Sequence, residues 1–105
     1  MIYTTTDMVP GKEIEAVLGI VNGSIVQSKH VGRDIMAGLK GIVGGELKGY
    51  TEMLTEAREI AIERLIEEAS KLNADAVVGV RFTTSSITDG ASELLVFGTA
   101  VKLKA

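Results

Sequence analysis

The chain has 105 residues, no cysteine and a formal net charge of −3 at pH 7. The length predicts a single small domain, residues 1–105, and the lack of cysteine excludes disulfides, thiolate metal sites and a cysteine nucleophile. Because the chain is acidic and has no signal-peptide pattern or apolar membrane span, we expect a cytoplasmic protein that binds neither nucleic acid nor membranes.

The first part of the chain predicts strands and turns. Residues 2–6 are short and β-branched, as in a strand, and Pro10-Gly11 indicates a turn. Residues 14–28, IEAVLGIVNGSIVQS, are rich in Val and Ile. Asn22-Gly23 is typical of a two-residue hairpin, and one long strand bent at its glycines is the competing interpretation.

Two helical patterns follow. Ile35, Leu39 and Ile42 recur at helical spacing, and Gly44-Gly45 is the expected break or kink. A second, longer helix is predicted because its apolar residues recur in steps of three and four. These residues are Leu47, Tyr50, Leu54, Ala57, Ala61, Leu65, Ala69 and Leu72.

The chain is expected to leave the long helix through Asn73, which tolerates the left-handed backbone of many helix ends. Two strands follow, residues 74–86 and 91–104, joined by a turn at 88–90. The side chains expected on one face of the first strand are Ala76, Val78, Val80 and Phe82. The second strand is apolar on both faces, and one helix covers only one face. A second copy of the chain is therefore the expected cover for the other.

Glycines interrupt the helical patterns at regular intervals. Four of them share one side of a continuous helix, and a side without Cβ atoms lets another backbone approach closely, as between membrane helices. We interpret this stripe, with Tyr50, as a subunit interface, and a flexible loop between two helices is the alternative. The stripe consists of Gly38, Gly41, Gly45 and Gly49.

Three segments carry a resemblance to a known family: VGRDIMAGLKGIVGGELKGYTEMLTEAREIAIERL, NADAVVGVRF and FGTAV. With them the chain resembles, from Thr4 to Val101, the YbjQ-like family of small bacterial and archaeal proteins. That family is often labelled a heavy-metal-binding domain. The resemblance implies an α+β fold in which a small antiparallel sheet packs on a long helix. It also implies a subunit similar to dodecin-like folds, assembled into a ring-shaped homopentamer.

The family label directs attention to metal ligands. His30 is the only histidine, whereas a transition-metal site normally draws on several His or Cys ligands. One chain cannot supply such a site, but several copies around an axis can. Asp34 lies four residues after His30, so these two residues are the candidate ligands for a divalent metal ion. A solvated histidine without a metal is the alternative.

Other charged residues have simpler interpretations. Carboxylates recur along the long helix as one acidic edge, which we interpret as a solvated face, with a hard-cation site as the alternative. They belong to Glu52, Glu56, Glu59, Glu63 and Glu67. Glu67 also precedes Lys71 by four residues, a favourable ion-pair spacing. Arg81 interrupts an apolar strand, so we expect it to pair with a carboxylate.

The sequence offers little for catalysis. It has no G-x-S-x-G motif, and nothing places two carboxylates in a cleft. The predicted function is a non-enzymatic, homo-oligomeric assembly or ligand-binding module, with any small ligand at subunit interfaces. A metal-ion-binding protein with a site shared between subunits and a small hydrolase with an interfacial site are the alternatives.

Overall fold

The computed structural model describes residues 1–28, 48–88 and 90–105. The described elements are β1 (Ile2–Tyr3), β2 (Ile14–Ser28), α1 (Lys48–Lys71), β3 (Ala76–Thr88) and β4 (Ala91–Leu103). The four strands form one sheet in the order β1-β3-β4-β2, and α1 packs mainly on β2 and β4. This confirms the α+β prediction. The sheet is mixed rather than antiparallel, because β1 runs parallel to β3. The predicted helix at residues 35–42 lies outside the described residues.

The long helix buries the apolar stripe that its sequence predicts. Its buried residues follow one another in steps of four, and each is at most 1% exposed. They are Ala57, Ala61, Leu65 and Ala69. Towards its ends the stripe leaves the sheet, since Leu54 is 43% and Leu72 is 42% exposed. Three of the four buried residues are alanine, so the helix axis lies close to the sheet.

The end of α1 also follows the prediction. Asn73 has a φ of 58°, which is the left-handed conformation expected of a helix cap. Its N–H donates to the Ser70 carbonyl over 3.0 Å, and the Ala74 N–H donates to the Ala69 carbonyl over 3.1 Å. These two bonds are those of a Schellman motif. They turn the chain directly from α1 into β3.

Residues 14–28 form one continuous strand, so the hairpin interpretation of Asn22-Gly23 is wrong. Both residues pair with β4 in regular register, opposite Phe97 and Val96. The glycine is used for close packing instead. A Cβ atom at Gly23 would overlap the Ala61 carbonyl oxygen and lie 2.5 Å from the Leu65 nitrogen. Only glycine lets β2 and α1 approach this closely.

A bulge in β3 separates residues that the sequence placed on one face. The pairing with β4 shifts register between Val78 and Arg81, and Gly79 has a φ of 62°, a conformation that side chains disfavour. Ala76 and Val78 therefore face away from α1, whereas Val80 belongs to the core beneath it. The prediction of a single face for these residues is wrong, because the bulge reverses the alternation.

The N-terminal segment, residues 4–13, crosses the sheet face opposite α1. Val9 is 6% exposed and packs in a second apolar cluster with Ala76, Val78 and Val101, flanked by Leu103. Main-chain bonds fix the segment at both ends. Part of the face that we expected another copy to cover is thus covered by the chain itself.

Those main-chain bonds run between the N-terminal segment and two strands. The Gly79 N–H donates to the Thr6 carbonyl over 2.8 Å, and the Val80 N–H donates to Thr4 over 3.0 Å. At the other end the Lys104 N–H donates to the Glu13 carbonyl over 2.8 Å. The β3 bulge therefore has a structural role, because it turns donors outward to hold this segment.

Asp75 ties the start of β3 to the end of β4. Its Oδ2 accepts a hydrogen bond from the Leu103 N–H over 2.9 Å, and its Oδ1 lies 3.4 Å from Lys102 Nζ. The main-chain donor first, and then Lys102, hold the pKa of Asp75 below its ordinary value of 3.8. The folded chain thus favours the ionised carboxylate.

We expect Asp75 to make stability depend on pH at the acid end. A carboxyl with a lowered folded-state pKa stabilises the fold above its unfolded pKa, and that contribution disappears as pH falls through the folded-state value. Asp75→Ala should therefore lower the urea midpoint at pH 7, and the difference from wild type should shrink below about pH 3.8. An unchanged difference between pH 7 and pH 2.5 would contradict this role.

Candidate interaction surfaces

The sheet face opposite α1, which we call the open face, carries exposed apolar side chains on β2. Val17 is 69%, Ile20 80% and Val26 59% exposed. Their partners on β4 are Val101, Thr99 and Glu93. Isolated apolar residues on a surface are ordinary, but three on one face of one strand form a row, which Asn22 and Ser24 interrupt between Ile20 and Val26. Such a row is typical of a surface that another molecule covers.

The alternation of β2 hides this row in the sequence. Val17 and Ile20 are three residues apart, yet both lie on the open face, because the register shifts between Val17 and Gly19. Leu18 packs on the α1 side. Sequence reasoning missed these residues as a surface. The signal in the sequence was Gly19, a glycine at which the strand could bulge. The pattern did not show which side chains the bulge would place on each face of the sheet.

The outline of the molecule is elongated. Its principal extents are 54 × 30 × 17 Å and its radius of gyration is 16.9 Å, whereas a compact domain of this length has about 13 Å. Residues 81–88 of β3 are all exposed, and among them Phe82 is 43% exposed although it lies on the α1 side. The far end of the sheet thus extends beyond the cover that α1 gives.

A shallow groove of about 330 Å³ lies between the end of β2 and the first turns of α1. Its apolar lining comes mainly from Ile25, Met53, Ala57 and Ile60. The groove adjoins the point where the chain leaves β2 for residues outside the described ranges.

A polar hollow of similar size lies further along the same two elements. Arg64 donates from Nη1 to the Ser24 carbonyl, and Glu67 and Glu68 line the hollow from the next turn of α1. Asn22 completes the rim. Since cationic and anionic groups are both present, the hollow has no single charge that would select an anion or a cation.

The residues predicted to bind a metal ion, His30 and Asp34, lie outside the described ranges. Within residues 1–28, 48–88 and 90–105, no three His, Cys, Asp or Glu side chains lie close enough together to hold a metal ion. The metal site therefore stays a prediction about residues 30 and 34.

The predicted glycine interface is described only at its end. Gly38, Gly41 and Gly45 lie outside the described residues, whereas Gly49 and Tyr50 are half-buried in the first turn of α1. The packed interface and the alternative loop therefore both stay predictions.

The charged residues on the described elements form a solvated surface. The five glutamates of the predicted acidic edge are all exposed on α1. Lys71 pairs with Glu68 over 3.0 Å rather than with the predicted Glu67, and this pair raises the pKa of Lys71. One ion pair of this exposed kind contributes little to stability.

Arg81 has main-chain partners instead of the carboxylate that the sequence predicts. Its Nη1 donates to the Thr5 carbonyl over 2.8 Å and to the Val80 carbonyl over 2.9 Å. Among residues 1–28, 48–88 and 90–105, no carboxylate forms an ion pair with Arg81, whose charge is exposed to water. The role of Arg81 is to fasten the N-terminal segment to β3.

Comparison with known proteins assigns the family. The YbjQ family model, described as "Putative heavy-metal-binding", matches residues 1–104. A UPF0145 protein of Vibrio parahaemolyticus is 71% identical over 98% of both chains. UPF0145 proteins of Colwellia psychrerythraea and Thermotoga maritima are 69% and 60% identical, each over at least 98% of both chains. These relatives are described without an enzymatic activity.

The fold has a counterpart among solved structures. A crystal structure of a protein of unknown function from Pediococcus pentosaceus, assigned to the DUF74 family, superposes with a TM-score of 0.66. It covers 99% of this chain at 17% identity, so the likeness concerns the fold. Within the described ranges, no helix has the length and apolar character needed to span a membrane. The match over residues 1–104 and identities of 60–71% show that the chain belongs to the YbjQ-like family of UPF0145 proteins.

Proposed function

We propose that this chain is a self-assembling, non-enzymatic module of the cytoplasm that works as a homo-oligomer. The expected form is a ring-shaped homopentamer of dodecin-like subunits, with any ligand bound where subunits meet. The observation that carries the proposal is the row of exposed apolar residues on the open face: Val17, Ile20 and Val26.

Energetics favour covering this row. Removing a Val or Ile side chain from water stabilises by about 1.5–3 kcal/mol, and each copy exposes three of them on the open face. The N-terminal segment covers the part of the same face around Val9, and the row on β2 lies outside that cover. A second copy of the chain can cover the row, because it is always present with the first copy and carries the same apolar residues.

Light scattering after size exclusion tests the assembly. Five copies of the 11.1 kDa chain give about 55 kDa, and this is the mass we expect at micromolar concentration. A mass of 11.1 kDa would refute self-assembly. A different closed oligomer would refute the pentamer alone.

Ile20→Lys is expected to weaken the assembly. Ile20 is 80% exposed, so the substitution costs the isolated fold little, but a lysine in the covered strip would need to be dehydrated. We expect a shift to smaller species in light scattering, with an unchanged circular dichroism spectrum. The matched control is Leu72→Lys, an apolar-to-lysine change at the far end of α1, which should leave the mass unchanged. Equal masses for both variants would exclude the open face as the interface.

Metal binding is the second candidate, because the family model is described as "Putative heavy-metal-binding". The proposed ligands are His30 and Asp34 from several copies, and the ion is divalent. Elemental analysis of protein purified without an affinity tag should find metal at less than one ion per chain, as a shared site requires. His30→Ala should remove that metal without changing the mass of the assembly. Retention of the metal by this variant would exclude His30 as a ligand.

A further inference from the structure

Besides the outer edge of the two-residue β1, the sheet has two strand edges without a partner strand in the described residues. One is the outer edge of β2, since β2 pairs only with β4. The other belongs to the second half of β3. There β1 pairs only with Ala76 and Val77, and the main-chain bonds to the N-terminal segment stop at Val80. The Arg81 side chain also reaches the Thr5 carbonyl. Residues 81–88 therefore present an open edge.

The two edges have regular stretches of comparable length. The irregular pairing of β2 lies between residues 14 and 19, so residues 20–27 pair with β4 without a shift. That stretch has eight residues, whereas the open stretch of β3 is regular over residues 81–86 and shifts register between Ser86 and Thr88. Residues 81–86 can therefore pair over their full length with the regular stretch of β2.

Neither stretch carries proline, lysine or an inward-pointing charge, which are features that prevent edge-to-edge pairing. The register shift between Ser86 and Thr88 lies at the far end of the β3 stretch. The sequences of the two stretches are IVNGSIVQ and RFTTSSIT. The single charge is Arg81, and its guanidinium is turned to the Thr5 and Val80 carbonyls. On β2, the Ser24 carbonyl accepts a bond from Arg64, which leaves the rest of that edge to another strand.

We propose that residues 20–27 of one copy pair edge to edge with residues 81–88 of the next copy. The proposal rests on self-assembly as the proposed function and names the strands that meet. Pairing β2 with β2 would use one edge of each copy and leave both β3 edges exposed to further pairing. Pairing β2 with β3 uses both of these edges in every copy, and a closed ring then leaves neither of them free.

The orientation of the new pair follows from the sheet. Both β2 and β3 run antiparallel to β4, so they point in the same direction within one copy. A rotation about an axis along the strands preserves that direction. The joined strands are therefore parallel, and residues 20–27 run beside 81–88 in the same order.

The lack of cysteine allows a direct test by disulfide trapping. Ser24 and Thr83 lie on the open face, since both are opposite Leu95, and Ser85 follows Thr83 on the same face. Aligning the two stretches end to end brings Ser24 beside Ser85 of the neighbour. The variants are Ser24→Cys/Ser85→Cys and, one step away in register, Ser24→Cys/Thr83→Cys. The serine replacements are nearly isosteric.

Two matched controls define the background. Ser24→Cys alone forms a disulfide only if β2 meets β2 across a two-fold axis. Ser24→Cys/Thr84→Cys places the second thiol on the opposite face of β3, beyond the reach of a disulfide.

After mild oxidation we expect at least one of the two test variants to give a ladder of linked chains on non-reducing gels. Reductant should abolish it, and both controls should run as single chains. An intact oligomer by light scattering without any ladder would overturn the β2–β3 pairing while leaving self-assembly standing. Linked dimers from Ser24→Cys alone would overturn it in favour of β2–β2 pairing. A mass of 11.1 kDa for wild type would overturn both proposals.

Discussion

Gly23→Ala is expected to destabilise the fold by about 3 kcal/mol or more, because overpacking against main chain cannot be relieved by a rotamer change. The added methyl group would overlap the Ala61 carbonyl oxygen and crowd the Leu65 nitrogen. Either β2 must move away from α1, or the helix must shift along its length. Urea denaturation followed by circular dichroism at 222 nm measures the loss.

Asn22→Ala is the control for this substitution. Asn22 is the neighbouring residue in the same strand, but it is exposed and faces away from α1. Its replacement should change the free energy of unfolding by no more than about 0.5 kcal/mol. Equal stabilities for Gly23→Ala and Asn22→Ala would show that β2 and α1 are not in close contact at this point.

Leu65→Ala is expected to cost about 3 kcal/mol, within the range for truncating a buried leucine. Leu65 is fully buried and packs in the core with Val21, Val77 and Val96. The cavity would lie at the centre of the contact between α1 and the sheet, where alanine neighbours cannot expand to fill it. The measurement is again urea denaturation.

Leu54→Ala gives the comparison on the same helix. Leu54 is 43% exposed, so we expect its truncation to cost less than about 1 kcal/mol. Similar losses for the two leucines would contradict the burial pattern of α1. A smaller loss at Leu65 than at Leu54 would contradict the orientation of the helix as a whole.

The helix was predictable because its signals are local. The four-residue steps of the apolar stripe and the cap at Asn73 act within a few residues of each other. The structure confirms both. The strand composition of residues 14–28 and of the last two strands was equally clear. These strands pair in one sheet beside the long helix, which is the α+β fold that the sequence predicts.

Errors arose where distant residues decide the conformation. Asn22-Gly23 has the composition of a hairpin turn, but Gly23 is required by Ala61, which is 38 positions away in the chain. The β3 bulge at Gly79 serves residues 4–6 of the N-terminal segment. No local pattern shows that this segment returns across the sheet, so the cover it supplies at Val9 was not predictable.

The interaction surface was hidden for a similar reason. Its apolar row depends on a register shift near Gly19, and a period-two pattern places Val17 and Ile20 on opposite faces. The sequence predicted that strands apolar on both faces need cover on the face opposite the helix, and part of that face is covered. The N-terminal segment satisfies some of that need, and the row at Val17, Ile20 and Val26 is what remains exposed.

Family membership and the sheet edges support one account of how the chain works. Relatives that are 60–71% identical span nearly the full length of the chain, so this fold is used without additional domains in those proteins. A domain of this size has a modest core of its own. Association through the open face and the two sheet edges would extend that core across several copies.

The concentration dependence of thermal unfolding tests self-assembly most directly. If subunits stabilise one another, unfolding is coupled to dissociation, and mass action raises the melting temperature as protein concentration increases. We predict a melting temperature that rises steadily over a hundredfold range of concentration, and a smaller rise for Ile20→Lys. A melting temperature that is independent of concentration, together with a mass of 11.1 kDa throughout, would contradict the account.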